Sequence, residues 1–235
     1  MASEHLFKQY DQELEGLRSR VLQMGGLVEA QVLAAIDGFA SGEQAVIDKV
    51  VATEVSVDEF ELTIDDACSH IIVRRQPAAS DLRLLMAISK TVTDLERIGD
   101  EAEKIARMSR QIHERGRVAL LPQIAGIRHA ASIAVAMLRQ ALDGFARLDA
   151  ADAEKVIRED RAIDSEFSSI LRELITFMME DPRTISTALE IVWVAKAVER
   201  IGDHAKNVAE NVIYIVRGTD VRHAGLEKLE REARG

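Results

Sequence analysis

The sequence contains very little cysteine, proline or aromatic residue. Among 235 residues there are one Cys, three Pro and 4% Phe, Trp and Tyr. A single cysteine, Cys68, excludes an internal disulfide and favours a reducing compartment, so we expect a cytoplasmic protein. No apolar run approaches the ~18 residues that a membrane-spanning helix needs. The N-terminus lacks a basic region followed by an apolar run, so we expect no signal peptide.

Positive charge is also in short supply. The chain has 30 Lys and Arg against 40 Asp and Glu, which gives a formal net charge of -10. This balance disfavours general attraction to nucleic-acid phosphates and binding to an anionic membrane through a basic patch. We therefore expect no nucleic-acid partner, and contact with a membrane only through partner proteins.

Aliphatic residues at helical spacing dominate the rest of the chain. One apolar or small stripe is formed by Ile191, Val194, Val198, Ile201, Ala205, Val208, Val212 and Ile215. Similar stripes predict an all-α fold of six long helices. Their approximate ranges are 6–40, 43–75, 80–115, 123–147, 152–180 and 182–217.

The second half of the sequence repeats the first. The string Glu-Arg-Ile-Gly-Asp occurs at 96–100 and again at 199–203, and Asp-Gly-Phe occurs at 37–39 and at 143–145. The repeat predicts two pseudo-symmetric antiparallel three-helix bundles. The expected division is residues 1–116, residues 117–218 and a polar tail at 219–235.

Each repeat also contains two acid pairs at a spacing of four. Acids spaced in this way leave one helix face about a turn apart. If the second and third helices of a repeat pack side by side, four carboxylates could meet at an all-oxygen site, which suits ferric iron, manganese, magnesium or calcium. A zinc site with nitrogen or sulfur ligands has less support, because no His or Cys recurs in both repeats. The alternative is that these acids are solvated helix faces paired with nearby bases.

The repeated string, the four acid pairs and the six-helix repeat resemble the PhoU family, whose members regulate phosphate uptake and the phosphate regulon in bacteria. The resemblance extends from about residue 5 to residue 217. In that family, acid pairs of this kind bind metal clusters on each bundle. The resemblance thus implies iron, manganese, magnesium or zinc as cofactor, with these ligands: Glu54, Asp58, Glu96, Asp100, Asp160, Asp164, Glu199 and Asp203.

The resemblance further implies a negative regulator rather than an enzyme. Such a protein would act as an adaptor between the phosphate-import ABC transporter, through its ATPase, and the phosphate-sensing histidine kinase. It would hold the kinase inactive when phosphate is plentiful. We accordingly expect a homodimer with no catalytic residues.

A rival interpretation is a carboxylate-bridged di-metal enzyme or metal store of the ferritin type. Those bundles need two Glu-x-x-His motifs. The chain has none, and its nearest approach is Asp220-Val-Arg-His223. There is also no nucleophile–base pair and no glycine-rich phosphate loop. A pull-down with the transporter ATPase and the kinase would favour the adaptor, whereas oxidase activity or iron loading would favour the rival.

Four local features give further expectations. Gly25 and Gly26 predict a weak point or bend in the first helix, and Ser41 predicts a capping box for the second. His204 is expected at the surface. Trp193 is expected to pack between helices, and Cys68 to fill a small space in the core.

Overall fold

The computed structural model describes residues 2–114 and 124–221, and six α-helices cover most of them. The helices are α1 Ala2–Ser41, α2 Gln44–Arg75, α3 Ala79–Glu114, α4 Ile124–Arg147, α5 Ala150–Glu180 and α6 Ile185–Arg217. These two ranges contain no β-strand, so the all-α prediction is confirmed. None of the six helices is both long and apolar enough to cross a membrane.

The ends of the helices follow local chemistry. Gln76 takes a left-handed conformation with φ 48° just before Pro77 and ends α2, while Gly218 at φ 76° ends α6. A residue in this conformation cannot continue a right-handed helix, and its N–H reaches back to a carbonyl of the last turn. Both stops agree with the prediction.

Two of the predicted helix starts differ from the structure. The Ser41 hydroxyl does accept a hydrogen bond from the Glu43 N–H at 3.2 Å, but Glu43 is the N-cap of α2 and makes no side-chain cap, so the capping box is not formed. Asp181 caps a short 3-10 turn, Pro182–Thr184, and α6 begins after that turn. The proline thus starts the turn and not the α-helix itself.

Helices α1, α2 and α3 pack against one another, and so do α4, α5 and α6, which confirms the two predicted three-helix bundles. The bundles join mainly through α3 and α6. These two helices run antiparallel, because Lys90 lies over Tyr214 whereas Lys104 lies over Trp193. The repeated string therefore stands near the middle of the contact between the two halves.

Helices α1 and α4 form a second contact between the bundles. A Cβ on Gly25 would lie 2.5 Å from a methyl group of Leu142, so the glycine lets α4 approach α1 closely. Helix α1 continues through both glycines without a break in its secondary structure. Gly25 serves packing between helices.

Single-residue expectations had mixed outcomes. Cys68 is buried as predicted. Trp193 is 55% exposed and covered on one face by Lys104, so the prediction that it packs between helices is wrong. His204 was expected at the surface, but its side chain is only 12% exposed and pairs with Asp94 across the two bundles. The predicted boundary at 116–117 and the tail from residue 222 onward lie outside the described residues.

Candidate metal-binding clusters

The glycine of the repeated string brings the second and third helices of each repeat together. A Cβ on Gly99 would lie 3.1 Å from both carboxylate oxygens of Glu54. A Cβ on Gly202 would overlap the tip of Ile163. Since glycine has no Cβ, α2 can pack closely on α3 and α5 on α6, which places the acids of the paired helices side by side.

The arginine of the string has a different task in each copy. Arg200 crosses to the other bundle and forms an ion pair with Glu101 at 2.8 Å, where Lys104 also binds that carboxylate at 3.2 Å. Arg97 instead lies near the first cluster, where its charge partly offsets the raised pKa values of Glu96 and Asp100. The five identical letters therefore do not have identical surroundings.

We call Glu54, Asp58, Glu96 and Asp100 the first cluster. Glu54 is its innermost member, with 8% of the residue exposed. One carboxylate oxygen accepts a hydrogen bond from the buried Gln31 amide at 2.6 Å, while the other, Oε1, is buried without a hydrogen-bond partner among the described residues. An unpaired buried oxygen costs free energy. A positively charged ligand beside it would recover that cost.

Three carboxyl groups of the first cluster have raised pKa values. Burial raises the pKa of Glu54 to about 7, and the charges of Asp100 and Asp58 add to the effect. Burial and then the charge of Asp100 raise the pKa of Glu96 to about 7 as well. Partial removal from water and neighbouring carboxylates raise the pKa of Asp100. The structure thus brings together the four acids that the sequence grouped in the first repeat.

These carboxylates lie near one another but do not form a complete set of metal ligands. In residues 2–114 and 124–221, no three His, Cys, Asp or Glu side chains converge tightly enough to hold a metal ion. Glu54 is buried, Glu96 is half-buried, and Asp58 and Asp100 reach solvent. The donor chemistry nevertheless fits a hard cation, because the cluster offers only oxygens, an excess of negative charge and one orphaned buried oxygen.

The four acids of the second repeat, Asp160, Asp164, Glu199 and Asp203, form what we call the second cluster. Two of them already have ammonium partners: Lys206 donates to Asp160 at 2.6 Å, and Lys196 lies 2.5 Å from the Glu199 carboxylate. Partial burial, followed by the charges of Glu199 and Asp160, still raises the pKa of Asp203. The fit to a metal ion is poorer here, since two carboxylates are already neutralised.

Several residues around the clusters were missed from the sequence. Gln31 supports Glu54 from α1, and no acid-pair pattern could indicate a glutamine on a third helix. The two lysines had a usable signal, because the repeat offset of 103 places Lys206 at the position of Glu103 and Lys196 at that of Thr93. Comparing the neighbours of the acids, in addition to the acids themselves, would have exposed the difference.

Comparison with known proteins supports the repeat and the fold. A family model described as the PhoU domain matches residues 21–109 and again 127–212. A relative from Pseudomonas aeruginosa named "Phosphate-specific transport system accessory protein PhoU homolog" is 48% identical, with 97% of this chain and 93% of the relative covered. The protein of Escherichia coli K12 named "Phosphate-specific transport system accessory protein PhoU" is 41% identical, with 97% of this chain and 94% of the relative covered. The crystal structure of PhoU from Pseudomonas aeruginosa superposes with a TM-score of 0.86 and 48% identity, covering 89% of this chain and all of that one.

Proposed function

The chain belongs to the PhoU family, and from this premise we propose that it is a non-catalytic negative regulator of phosphate uptake and phosphate-regulon signalling. The observation that carries the proposal is the family match in both repeats, together with 48% identity to a phosphate-transport accessory protein over nearly the full length of both chains. A role in the regulation of phosphate transport is the part that the relatives' names support directly.

The finer proposal is an adaptor with two partners. One partner is the ATPase of the phosphate-import ABC transporter, and the other is the phosphate-sensing histidine kinase, which the protein holds inactive in high phosphate. Family resemblance supports both partners, and also a cytoplasmic homodimer. Long helices in two bundles that join through α3 and α6 provide extended surfaces on which such partners can dock.

We also propose that the first cluster binds a multivalent cation, with Glu54, Asp58, Glu96 and Asp100 as the residues that hold it. The support is the orphaned buried oxygen of Glu54 and the excess of negative charge around it. A bound iron, manganese, magnesium or zinc ion would neutralise this charge and tie α2 to α3. For the second cluster the resemblance predicts the same, although Lys196 and Lys206 make the fit poorer.

Deletion of the gene tests the regulatory proposal. In high phosphate, the deletion strain is expected to express phosphate-starvation genes that the parent represses, because the kinase is no longer held inactive. The measurement is a reporter fused to a starvation promoter, compared in parent, deletion and complemented strains. Normal repression in the deletion strain would contradict the assignment. If a pull-down with this protein recovers neither the transporter ATPase nor the kinase, the adaptor proposal is contradicted.

A further inference from the structure

The two clusters share their four acids but differ in the residues that surround them. Where the first repeat has Glu103, the second has Lys206, and where the first has Thr93, the second has Lys196. Both replacements put a positive charge beside the carboxylates of the second repeat. The difference is easy to overlook, because the repeated string itself is identical.

Further positions change in the same direction. Glu61 of the first repeat corresponds to Phe167 at the offset of 106, and Gln31 corresponds to Met137. The second cluster therefore lacks the acid at position 61 and the amide that orients the innermost carboxylate, although Glu210, which stands where the first repeat has Arg107, adds an acid near Lys206. Asp160 is also one methylene shorter than Glu54, and the atoms nearest to a Cβ on Gly202 belong to Ile163 and not to an acid.

Both lysines form short contacts with acids of the second cluster. Lys206 donates to Asp160 at 2.6 Å, and 30% of the lysine side chain is exposed. Lys196 pairs with Glu199 at 2.5 Å and lies 5.4 Å from the centre of the Phe167 ring. Contacts with a carboxylate and with the face of an aromatic ring both stabilise the position of the Lys196 ammonium group.

The carboxylates that these lysines neutralise are well shielded from solvent. The side chains of Asp160 and Glu199 are 13% and 12% exposed. Near the first cluster, Arg107 pairs with Glu103 at 2.7 Å and Lys104 with Glu101 at 3.2 Å, while Arg97 acts on Glu96 and Asp100 through its charge without an ion pair. A cation entering the second cluster must displace two ammonium groups that pair with its acids, whereas among the described residues no lysine or arginine forms an ion pair with the four acids of the first cluster.

We infer that the two repeats are not equivalent metal sites: Lys196 and Lys206 act as built-in counter-ions for the second cluster, and only the first cluster takes up a multivalent cation. This inference rests on the proposed metal binding of the first cluster. The second bundle keeps the acid pairs of the family, but its own lysines neutralise two of the four carboxylates. Its stability is thus independent of metal, whereas that of the first bundle depends on it.

The test is metal counting on the full-length protein. Protein freed of metal with a chelator is dialysed against Mn²⁺, and bound manganese per chain is measured by elemental analysis. Glu96→Gln with Asp100→Asn is expected to abolish binding, and the matched pair Glu199→Gln with Asp203→Asn is expected to leave it at the wild-type level. If each of the two double variants binds half as much manganese per chain as wild type, both clusters bind metal and the inference is wrong, although metal binding itself is supported.

A second pair of variants tests the role of the lysines. Lys196→Thr with Lys206→Glu gives the second cluster the residues of the first at these two positions, and bound manganese per chain should rise above the wild-type level. Circular dichroism with chelator present checks that the variant remains helical. If it is folded and binds no additional metal, the lysines are not what closes the site, and the inference is wrong. If neither wild type nor any variant binds manganese, the metal-binding proposal fails together with the inference, while the regulatory proposal keeps its own test in the deletion strain.

Discussion

Glu54 is a carboxylic acid that the packing of α2 on α3 removes from water. Its carboxylate lies against the backbone of α3 at Gly99, with a hydrogen bond from Gln31 on one oxygen and none on the other. Burial of a carboxylate disfavours its charged form, which is why the pKa of Glu54 rises to about 7 from an ordinary 4.5. Without a cation, this residue lowers the stability of the fold at neutral pH.

The pH dependence of this effect has a definite sign. An acid whose pKa is raised by folding binds its proton more tightly in the folded state, so the free energy of unfolding falls as pH rises from about 4.5 to about 7. We expect Glu54→Gln in chelator to raise the free energy of unfolding at pH 8 by roughly 1–3 kcal/mol, since one pKa unit is worth about 1.4 kcal/mol. At pH 4.5 the change should be small. Urea denaturation at both pH values measures the difference.

The exposed Glu59 on the same helix provides the control. Glu59→Gln removes the same charge from α2 without touching a buried site. It should change the free energy of unfolding by less than about 0.5 kcal/mol at either pH, as surface substitutions usually do. A Glu54→Gln protein that gains no stability at pH 8 would show that the carboxyl group is not destabilising in the folded state.

At the scale of the helix, adjacent glycines in α1 have opposite roles. A Cβ on Gly25 would meet Leu142 of α4 at 2.5 Å, whereas a Cβ on Gly26 would have no neighbour within 4 Å. Glycine inside a helix costs about 0.5–1 kcal/mol relative to alanine. For Gly25 the close approach of α4 justifies that cost, and for Gly26 nothing in the described residues does.

The two alanine substitutions should therefore differ. Gly26→Ala is expected to raise the free energy of unfolding by about 0.5–1 kcal/mol through helix propensity alone. Gly25→Ala gains the same propensity but overpacks Leu142, so we expect it to be less stable than Gly26→Ala by about 1–3 kcal/mol. Urea denaturation of both variants beside wild type makes the comparison. Equal effects would mean that α1 and α4 do not pack as closely as described.

At the scale of the whole molecule, a polar group around Asp94 joins the two bundles. Asp94 of α3 accepts a hydrogen bond from the Asn207 amide at 2.9 Å and lies 3.0 Å from His204 Nδ1. Its side chain is 13% exposed. The repeat offset places Ala197 at the equivalent position in α6, so this group occurs on one side of the pseudo-twofold arrangement only.

Removal of Asp94 should weaken the union of the bundles. Asp94→Ala leaves the partly buried donors of α6 without their acceptor, and we expect the free energy of unfolding to fall by roughly 1–3 kcal/mol. Asp66→Ala is a suitable control, because Asp66 is exposed and pairs with His70 only within α2. That pair should contribute less than about 0.5 kcal/mol. If both variants unfold at the same urea concentration, the Asp94 group has no net effect on stability.

Much of the architecture followed from periodicity and repetition. The stops at Gln76 and Gly218 could be read locally, because proline and left-handed glycine restrict the backbone wherever they occur. The bundles followed from aliphatic stripes, whose spacing alone fixes which helix face must be buried. The grouping of the first cluster also followed, since acids on facing helices at equivalent heights are neighbours once those helices pack.

The contents of each site were decided only by tertiary structure. The sequence determined an all-α repeat with four acids per half, and it left the partners of those acids open. Packing decided that Gln31 of α1 supports Glu54, that Leu142 fills the space beside Gly25, and that His204 turns inward to Asp94. The physical reason is distance along the chain. A helical pattern determines which residues are neighbours within about one turn, whereas contacts with an ammonium group, an amide or a methyl group of another helix form only when the helices pack together.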